Sequence, residues 1–136
     1  MAQKSVHFEK SVPASEETLR RLVEDTVFSL PSDYIAFLRQ SNGCEGELGI
    51  KPGWVQVWPA EKVLKYNEGY ETTEAVPGFF AFGSNGGGEM FCFDLRTAGK
   101  SRVVMIPFIP MEIKEAFQLA GDFREFANYF GKQQNE

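Results

Sequence analysis

The spacing of hydrophobic and polar residues changes along the chain and separates predicted helices from predicted strands. An N-cap at Ser15, followed by apolar residues at helical spacing, predicts a first helix near residues 16–27. A second helix is predicted between the start signal at residues 30–33 and Asn42-Gly43, where glycine can adopt the left-handed conformation. The other predicted elements are a short strand near residues 47–50, a strand over 54–58, a helix over 60–69, a strand over 102–109, a partly helical stretch over 111–120, and a last helix that begins after Asp122 and ends at Gly131.

Residues 77–95 are the most informative stretch, because two phenylalanine-rich runs flank the glycines at positions 86–88. Apolar runs joined by a glycine-rich turn predict a hairpin between two buried strands, with positive φ angles at Asn85 and the glycines. A glycine cluster can also be a phosphate-binding loop, which requires Lys, then Ser or Thr, and a helix after the glycines. In this chain Glu89 and a strand-like run follow instead, so no nucleotide or other cofactor is predicted.

The order of these elements decides the fold class. Helices come first, strands cluster in the middle and a helix closes the chain, which favours an α+β fold over a doubly wound parallel sheet. With 136 residues and 13 phenylalanines, the chain is predicted to form one domain with a compact core. Residues 1–13 are predicted to be an N-terminal arm or edge strand, and residues 132–136 a frayed tail.

The charge of the chain narrows the classes of partner. It has 14 basic and 19 acidic residues, a net charge of −5, and its Lys and Arg residues are scattered. Direct binding to nucleic acid is therefore disfavoured, whereas an acidic surface suits solubility or the attraction of a basic protein partner. No apolar run approaches the length that spans a bilayer, and the N-terminus lacks the apolar core of a secretory signal, so a cytoplasmic location without membrane contact is expected.

Neither a nucleophilic site nor a metal site is predicted. The single histidine, His7, lies in the predicted arm, and no cluster of His, Cys and Asp has the spacing of metal ligands. Cys92 is predicted to be a buried, inert thiol within a strand, whereas Cys44 is placed in a loop. A disulfide between the two cysteines is disfavoured in a cytoplasmic chain, because thiols stay reduced there.

Pairs of acidic residues are the remaining candidate chemistry. Glu45 and Glu47 lie in a predicted loop, and Glu89 and Asp94 flank the second strand of the predicted hairpin. Two carboxylates at a suitable separation could hydrolyse glycosides. Acidic residues in loops are usually solvated, however, so binding is preferred to catalysis.

The predicted strand at residues 54–58 carries two tryptophans. Strand alternation places Trp54, Gln56 and Trp58 on one face and Val55 and Val57 on the other. If exposed, the two tryptophans would form an interaction site. If buried, they would belong to the core, and that alternative is preferred for at least one of them. Gln56 between them indicates that this face is partly wet.

Three segments, in this order along the chain, resemble the SUKH superfamily. They are Leu30-Pro31-Ser32-Asp33-Tyr34 with the end at Asn42-Gly43, the run from Phe82 to Asp94, and the closing Phe123-Arg124-Glu125-Phe126. That superfamily includes fungal regulators of cell-wall synthesis and bacterial immunity proteins of toxin systems. The resemblance implies an α+β fold with a mixed, largely antiparallel central sheet flanked by helices. It also implies no catalysis and binding to protein partners, which in bacteria are often basic nuclease toxins.

Together with the resemblance, these observations predict a non-enzymatic protein-binding domain that neutralises a cognate toxin, with a nuclease toxin as one candidate. The alternative is a regulatory scaffold or adaptor that binds a housekeeping protein. A hydrolase with paired carboxylates ranks below both. The residues predicted to contact the partner are Glu45, Glu47, Trp54, Trp58, Asn85, Glu89 and Asp94.

Overall fold

A computed structural model describes residues 6–134, so parts of the predicted arm (1–5) and of the predicted tail (135–136) lie outside the described residues. It confirms an α+β fold, in which helices flank one antiparallel sheet. The strands are β1 (Phe8–Lys10), β2 (Cys44–Glu47), β3 (Trp54–Val57), β4 (Phe79–Ser84), β5 (Glu89–Asp94), β6 (Arg102–Pro107) and β7 (Phe117–Ala120), and the helices are α1 (Glu16–Asp25), α2 (Ser32–Gln40), α3 (Val63–Gly69), α4 (Thr72–Ala75) and α5 (Phe123–Ala127), with a short 3-10 helix at Ile113–Glu115.

The strands of the sheet are paired in sequence order from β1 to β7, and each neighbouring pair is antiparallel. Helices α1 and α2 lie between β1 and β2 along the chain, and α3 and α4 lie between β3 and β4. Antiparallel neighbours need no long crossover, which allows the remaining connections to be short. β1 lies at one edge of the sheet.

The predicted hairpin consists of β4 and β5. All residues of β4 are buried, as are those of β5 except the half-buried Glu89. Burial on both faces explains why each strand is a continuous apolar run rather than an alternating one. The turn differs from the prediction, because only Gly86 of residues 85–88 has a positive φ, at +77°. The Asn85 side chain closes the turn instead, since its Oδ1 accepts the N–H groups of Gly87 at 3.0 Å and Glu89 at 3.1 Å.

Helices α2 and α5 pack aromatic side chains against one face of the sheet. The ring of Tyr34 in α2 lies 5.8 Å from Phe82 and 5.1 Å from Phe93, measured between centroids. The ring of Phe123 in α5 lies 5.6 Å from Phe82 and 5.6 Å from Tyr34. All four residues are at most 1% exposed, and tilted or edge-to-face contacts of this kind add to the energy of burial. These rings form the centre of the core.

Over β4 and β5, the opposite face of the sheet is also covered. Met90 and Cys92 alternate with Phe91 along β5, so they point away from the aromatic core, and both are fully buried. Helices α3 and α4 contact β4. Asn67 of α3 replaces a strand partner at Ala81, because its side chain accepts the Ala81 N–H at 2.9 Å and donates to the Ala81 carbonyl at 2.7 Å.

Residues 44–47 differ from the sequence prediction, which placed a loop there and a strand over 47–50. They form β2 because Gly46 allows the backbone of β1 to approach, and a Cβ at that position would lie 2.5 Å from the Phe8 Cα. Cys44 is consequently buried, and desolvation raises the pKa of its thiol to about 12. Cys44 and Cys92 are both free thiols.

Two further predictions were wrong: one in the type of element, and one in the residue at which a helix begins. Residues 117–120, predicted as part of a partly helical stretch, form the edge strand β7, in which Phe117 lies opposite Met105 of β6. The helix predicted from residue 60 begins at Val63, because residues 60–62 form a turn. In that turn the N–H groups of Lys62 and Val63 donate to the Pro59 carbonyl at 2.9 and 3.1 Å.

Candidate protein-binding site

The register of the strands brings acidic and polar side chains together across the sheet. Glu9 of β1 lies opposite Glu45 of β2, which lies opposite Gln56 of β3, and Gln56 lies opposite Ser84 of β4. The Gln56 amide donates to Glu45 Oε2 at 3.0 Å, and its Oε1 accepts the Ser84 hydroxyl at 3.1 Å. A row of polar side chains therefore runs from the β1 edge to the hairpin.

The neighbouring row places Trp54 beside a second carboxylate. Glu47 lies opposite Trp54, and its Oε2 accepts the backbone N–H of His7 at 2.8 Å. The His7 ring stacks on Trp54, with 5.6 Å between the centroids and 18° between the planes. Trp54 is only partly buried, so some of its surface remains available to a partner.

The tip of the hairpin lies against the same tryptophan. A Cβ placed on Gly86 would lie 3.5 Å from Trp54 Cδ1. Asn85 Nδ2 donates to Glu89 Oε1 at 2.9 Å, which holds that carboxylate at the base of the turn. We call Glu9, Glu45, Glu47, Trp54, Gln56 and residues 85–89 the acidic face.

Among residues 6–134, the carboxylates of the acidic face have one potential cationic neighbour, the imidazole of His7. His7 Nε2 lies 3.5 Å from Glu9 Oε1. Within residues 6–134, no Lys or Arg forms an ion pair with Glu9, Glu45, Glu47 or Glu89. Carboxylates that face each other on adjacent strands repel, so a partner that supplies Lys or Arg relieves this repulsion.

The acidic face unites five predicted contact residues, namely Glu45, Glu47, Trp54, Asn85 and Glu89. Their role as contacts remains a prediction. Glu9 and Gln56 were not predicted as members of the site. Glu9 joins it only through strand pairing, whereas alternation had already placed Gln56 on the face of Trp54, where it was interpreted only as a sign of a partly wet face. The only signal available in the sequence was that Glu9 and Gln56 each occupy a polar position within a short alternating stretch.

Trp58 does not belong to the acidic face. It follows the last residue of β3, is 8% exposed, and packs its ring 4.8 Å from Tyr66 and 6.1 Å from Tyr70. The alternation that grouped Trp58 with Trp54 ends at Val57, where the strand ends. Trp58 is therefore a core residue, as expected for at least one of the two tryptophans, and not an accessible contact.

Asp94 is also placed differently from the prediction, at the other end of the hairpin. It is 4% exposed, and its carboxylate accepts hydrogen bonds from Arg96 Nε and Nη2, both at 2.9 Å, and from Arg102 Nη2 at 2.8 Å. The Arg96 guanidinium also lies over the Phe79 ring, 4.7 Å from its centroid. A buried carboxylate with both oxygens engaged has a structural role and is not available to a partner.

The Asp94 ion pair predicts a specific loss of stability in acid. Hydrogen bonds from Arg96, against the opposing effect of burial, lower the pKa of Asp94 from 3.8 to about 2. Because the folded-state pKa is lowered, the stabilisation is complete above about pH 4 and is lost as the pH falls through about 2. Asp94→Asn should lower the free energy of unfolding by about 1 to 2 kcal/mol at neutral pH, a value that is reduced because the arginines are half-exposed. Below about pH 2 the same substitution should have little effect.

Urea denaturation of the wild type and Asp94→Asn between about pH 2 and pH 7 measures this difference. Asp25→Asn, at the exposed end of α1, is the control. Its free energy of unfolding should stay close to that of the wild type across the whole pH range. A difference for Asp94→Asn that stays constant across the pH range would contradict the assigned ion pair.

Other kinds of site find no support in the described part of the chain. Within residues 6–134, no group of three or more His, Cys, Asp and Glu side chains is arranged to hold a metal ion. No helix in that range has the length and apolarity that a membrane-crossing segment needs. Glu45 and Glu47 lie on a sheet face, away from the groove between residues 27–33 and 95–102, so the geometry does not favour the hydrolase alternative.

The family comparison agrees with this architecture. The model of the SMI1/KNR4 family (SUKH-1) matches residues 13–129, which include every helix from α1 to α5. The chain belongs to the SMI1/KNR4 family (SUKH-1). This SUKH-1 assignment confirms the resemblance that residues 30–34, 82–94 and 123–126 indicated. No curated protein matches the chain significantly.

Membership in SUKH-1 fits a role in immunity or regulation through protein binding. The matched range begins after β1, so His7 and Glu9 lie outside it, whereas Glu45, Glu47 and Trp54 lie inside. The SUKH-1 assignment therefore supports the fold and the general class of function. The individual contacts rest on the geometry of this chain.

Proposed function

We propose that this chain is a non-enzymatic immunity protein that binds a cognate basic toxin domain and blocks it. The acidic face covers the substrate-binding surface of the toxin, so that the toxin cannot engage its substrate. The observation that supports this function best is the grouping of Glu9, Glu45 and Glu47 around the partly exposed Trp54.

Each part of the acidic face has a role that is typical of protein interfaces. Within residues 6–134, Glu45, Glu47 and Glu89 form no ion pair with Lys or Arg. Such carboxylates attract a basic partner within about one Debye length, roughly 10 Å at 0.1 M salt, and increase the association rate. Trp54 offers a large apolar surface of the kind that dominates binding energy once water is excluded. A toxin that cleaves nucleic acid has a basic substrate surface, because its substrate is a polyanion, and such a surface complements the acidic face.

The side chains of the acidic face are ordered before a partner binds. Glu45 is held by Gln56, Glu47 by the backbone of His7, and Glu89 by Asn85. A side chain that is already held in one conformation loses less entropy on binding, which saves about 0.5 to 1.5 kcal/mol for each side chain. This preorganisation favours a tight complex.

Reversal of charge on the acidic face is expected to weaken this complex. The variant carries Glu45→Lys and Glu47→Lys, and the partner is the toxin domain encoded beside this gene. We expect the Kd to rise by about 100-fold or more, because attraction to basic residues becomes repulsion. Isothermal titration calorimetry at low and at physiological salt measures the Kd and its dependence on screening.

A matched control separates the acidic face from net charge. Glu68→Lys with Glu74→Lys makes the same change of charge on α3 and α4, and should leave the Kd nearly unchanged. Thermal melting checks that all variants fold. An unchanged Kd for the Glu45 and Glu47 variant, or a Kd indifferent to salt, would exclude the acidic face as the interface. Absence of any complex with the neighbouring toxin would overturn the immunity function and favour the regulatory scaffold.

A further inference from the structure

A groove lies at the end of the sheet away from the acidic face. It runs between the α1–α2 connection, the β5–β6 turn and the β7–α5 connection, and has a volume of about 1040 Å³. The groove is at the Asp94 end of β5, whereas the acidic face includes the turn at the other end of that strand. The two surfaces are separated by the length of β5, roughly 17 Å for a strand of six residues.

The two carboxylates in this groove already bind backbone N–H groups of the fold. Asp33 Oδ1 accepts the Tyr34 N–H at 2.9 Å, and its Oδ2 accepts the Arg124 N–H at 3.1 Å. Asp122 Oδ1 accepts the Glu125 N–H at 2.8 Å as the N-cap of α5. Both carboxylates therefore hold local backbone in place, Asp33 through both oxygens and Asp122 through one.

Cationic donors in the groove are available. Lys100 and Arg124 are exposed, and within residues 6–134 neither side chain forms an ion pair or a side-chain hydrogen bond. Arg102 donates to Asp94 at 2.8 Å and makes only a long contact of 3.3 Å to Gln118. The groove lining carries Lys100, Arg102 and Arg124 against Asp33 and Asp122, so Lys100 and Arg124 can hold carboxylates even on a chain with a net charge of −5.

Apolar side chains form part of the wall of this groove. Val27 is 92% exposed, and Phe28, Leu30 and Leu95 are partly buried nearby. A valine that is almost fully exposed adds nothing to the core, and its surface leaves water when an apolar side chain covers it. The groove therefore suits a ligand that combines carboxylates with an apolar side chain.

We infer that this groove binds an extended acidic segment of a second protein, with carboxylates held by Lys100 and Arg124 and an apolar side chain against Val27. An extended peptide fits because the groove is open and bordered by three connections, unlike a closed cavity for a small molecule. Nucleic acid fits less well, because a strand of phosphates needs a run of cations, whereas the lining offers Lys100, Arg124 and an Arg102 that already binds Asp94. This site goes beyond the proposed toxin contact, and it allows the chain to hold a basic and an acidic partner at the same time.

Fluorescence anisotropy with a labelled peptide of alternating Glu and Leu tests this inference. The full chain should bind this acidic probe at least about tenfold more tightly than a matched peptide with Gln in place of Glu. Lys100→Glu with Arg124→Glu should weaken binding of the acidic probe by about tenfold or more. Val27→Ser, at an exposed position, should weaken it by about threefold through lost apolar contact.

Controls for this experiment distinguish a specific groove from general electrostatics. Lys62→Glu with Lys65→Glu makes the same change in net charge at exposed positions, and should change the affinity by less than about twofold. The inference is overturned by equal binding of the Gln-Leu peptide, or by full affinity of the Lys100 and Arg124 variant. It is also overturned if a single-stranded DNA oligonucleotide binds through these two residues more tightly than the acidic probe.

The proposed toxin contact and the proposed peptide site in the groove can be tested independently of each other. Glu45→Lys with Glu47→Lys should leave the affinity for the acidic probe within about twofold at physiological salt, where the screening length is about 8 Å. Lys100→Glu with Arg124→Glu should leave the toxin complex intact. Loss of toxin binding with retained peptide binding would thus reject only the proposed function, and the reverse result would reject only the groove.

Discussion

Phe82→Ala is expected to lower the free energy of unfolding by about 4 kcal/mol. Phe82 is fully buried in β4. The centroid of its ring lies 4.4 Å from that of Phe93, 5.6 Å from that of Phe123 and 5.9 Å from that of Phe126. Truncation removes the burial of the ring and leaves a cavity. The neighbouring rings belong to two elements, β5 and α5, so a shift of one of them cannot fill the cavity. Urea denaturation at neutral pH, followed by circular dichroism, measures the loss.

Tyr34→Phe is the matched control in the same cluster. It keeps the ring and removes only the hydroxyl, which has no hydrogen-bond partner among residues 6–134. Because no bond is lost, stability should fall by less than about 1 kcal/mol or should increase. The assignment of this cluster as the centre of the core would be wrong if Tyr34→Phe cost as much as Phe82→Ala.

The hairpin and the helix starts could be predicted from the sequence because their signals are local. The phenylalanine-rich runs and the glycine turn lie within one continuous stretch, and their burial on both faces removes the need for alternation. Ser15 Oγ accepts the Thr18 N–H at 3.1 Å, and Asp122 caps α5 in the same way. An N-cap acts within one turn of helix, so neighbouring residues are sufficient to identify it.

Strands β2 and β7 could not be predicted, because the residues that stabilise them are distant in sequence. β2 contains Gly46, a poor strand residue by itself, and it is a strand because Phe8 packs across that glycine. β7 begins with the exposed Phe117, and pairing with Met105 of β6 makes it a strand. Neither segment alternates strongly enough to reveal its partner.

The candidate site shows the same distinction between local and distant signals. Each carboxylate could be identified, but the grouping of Glu9 with Glu45 depends on the register between β1 and β2. Asp94 was misassigned even though a local signal was present. Arg96 and Arg102 both follow it, at the two ends of the β5–β6 turn. An acidic residue at a strand end just before such arginines indicates a structural ion pair.

Gly83→Ala is expected to lower the free energy of unfolding by about 3 kcal/mol, because it forces β3 away from β4. These strands pair only at Gln56–Ser84 and Val57–Gly83. A Cβ on Gly83 would press against the Gln56 carbonyl oxygen and lie 3.3 Å from the Val57 Cα. Both neighbours are backbone atoms, so no change of rotamer can relieve the clash and the strands must separate.

Separation of β3 from β4 should also weaken binding through the acidic face. Trp54 is on β3 and residues 85–89 follow β4, so the tryptophan moves away from the hairpin tip and partner affinity falls even where the variant is folded. Gly88→Ala is the control, since a Cβ there meets no atom within 4 Å, and its stability should change by less than about 1 kcal/mol. Equal urea midpoints for the two variants, or unchanged partner affinity in Gly83→Ala, would mean that the junction of β3 and β4 does not position the acidic face.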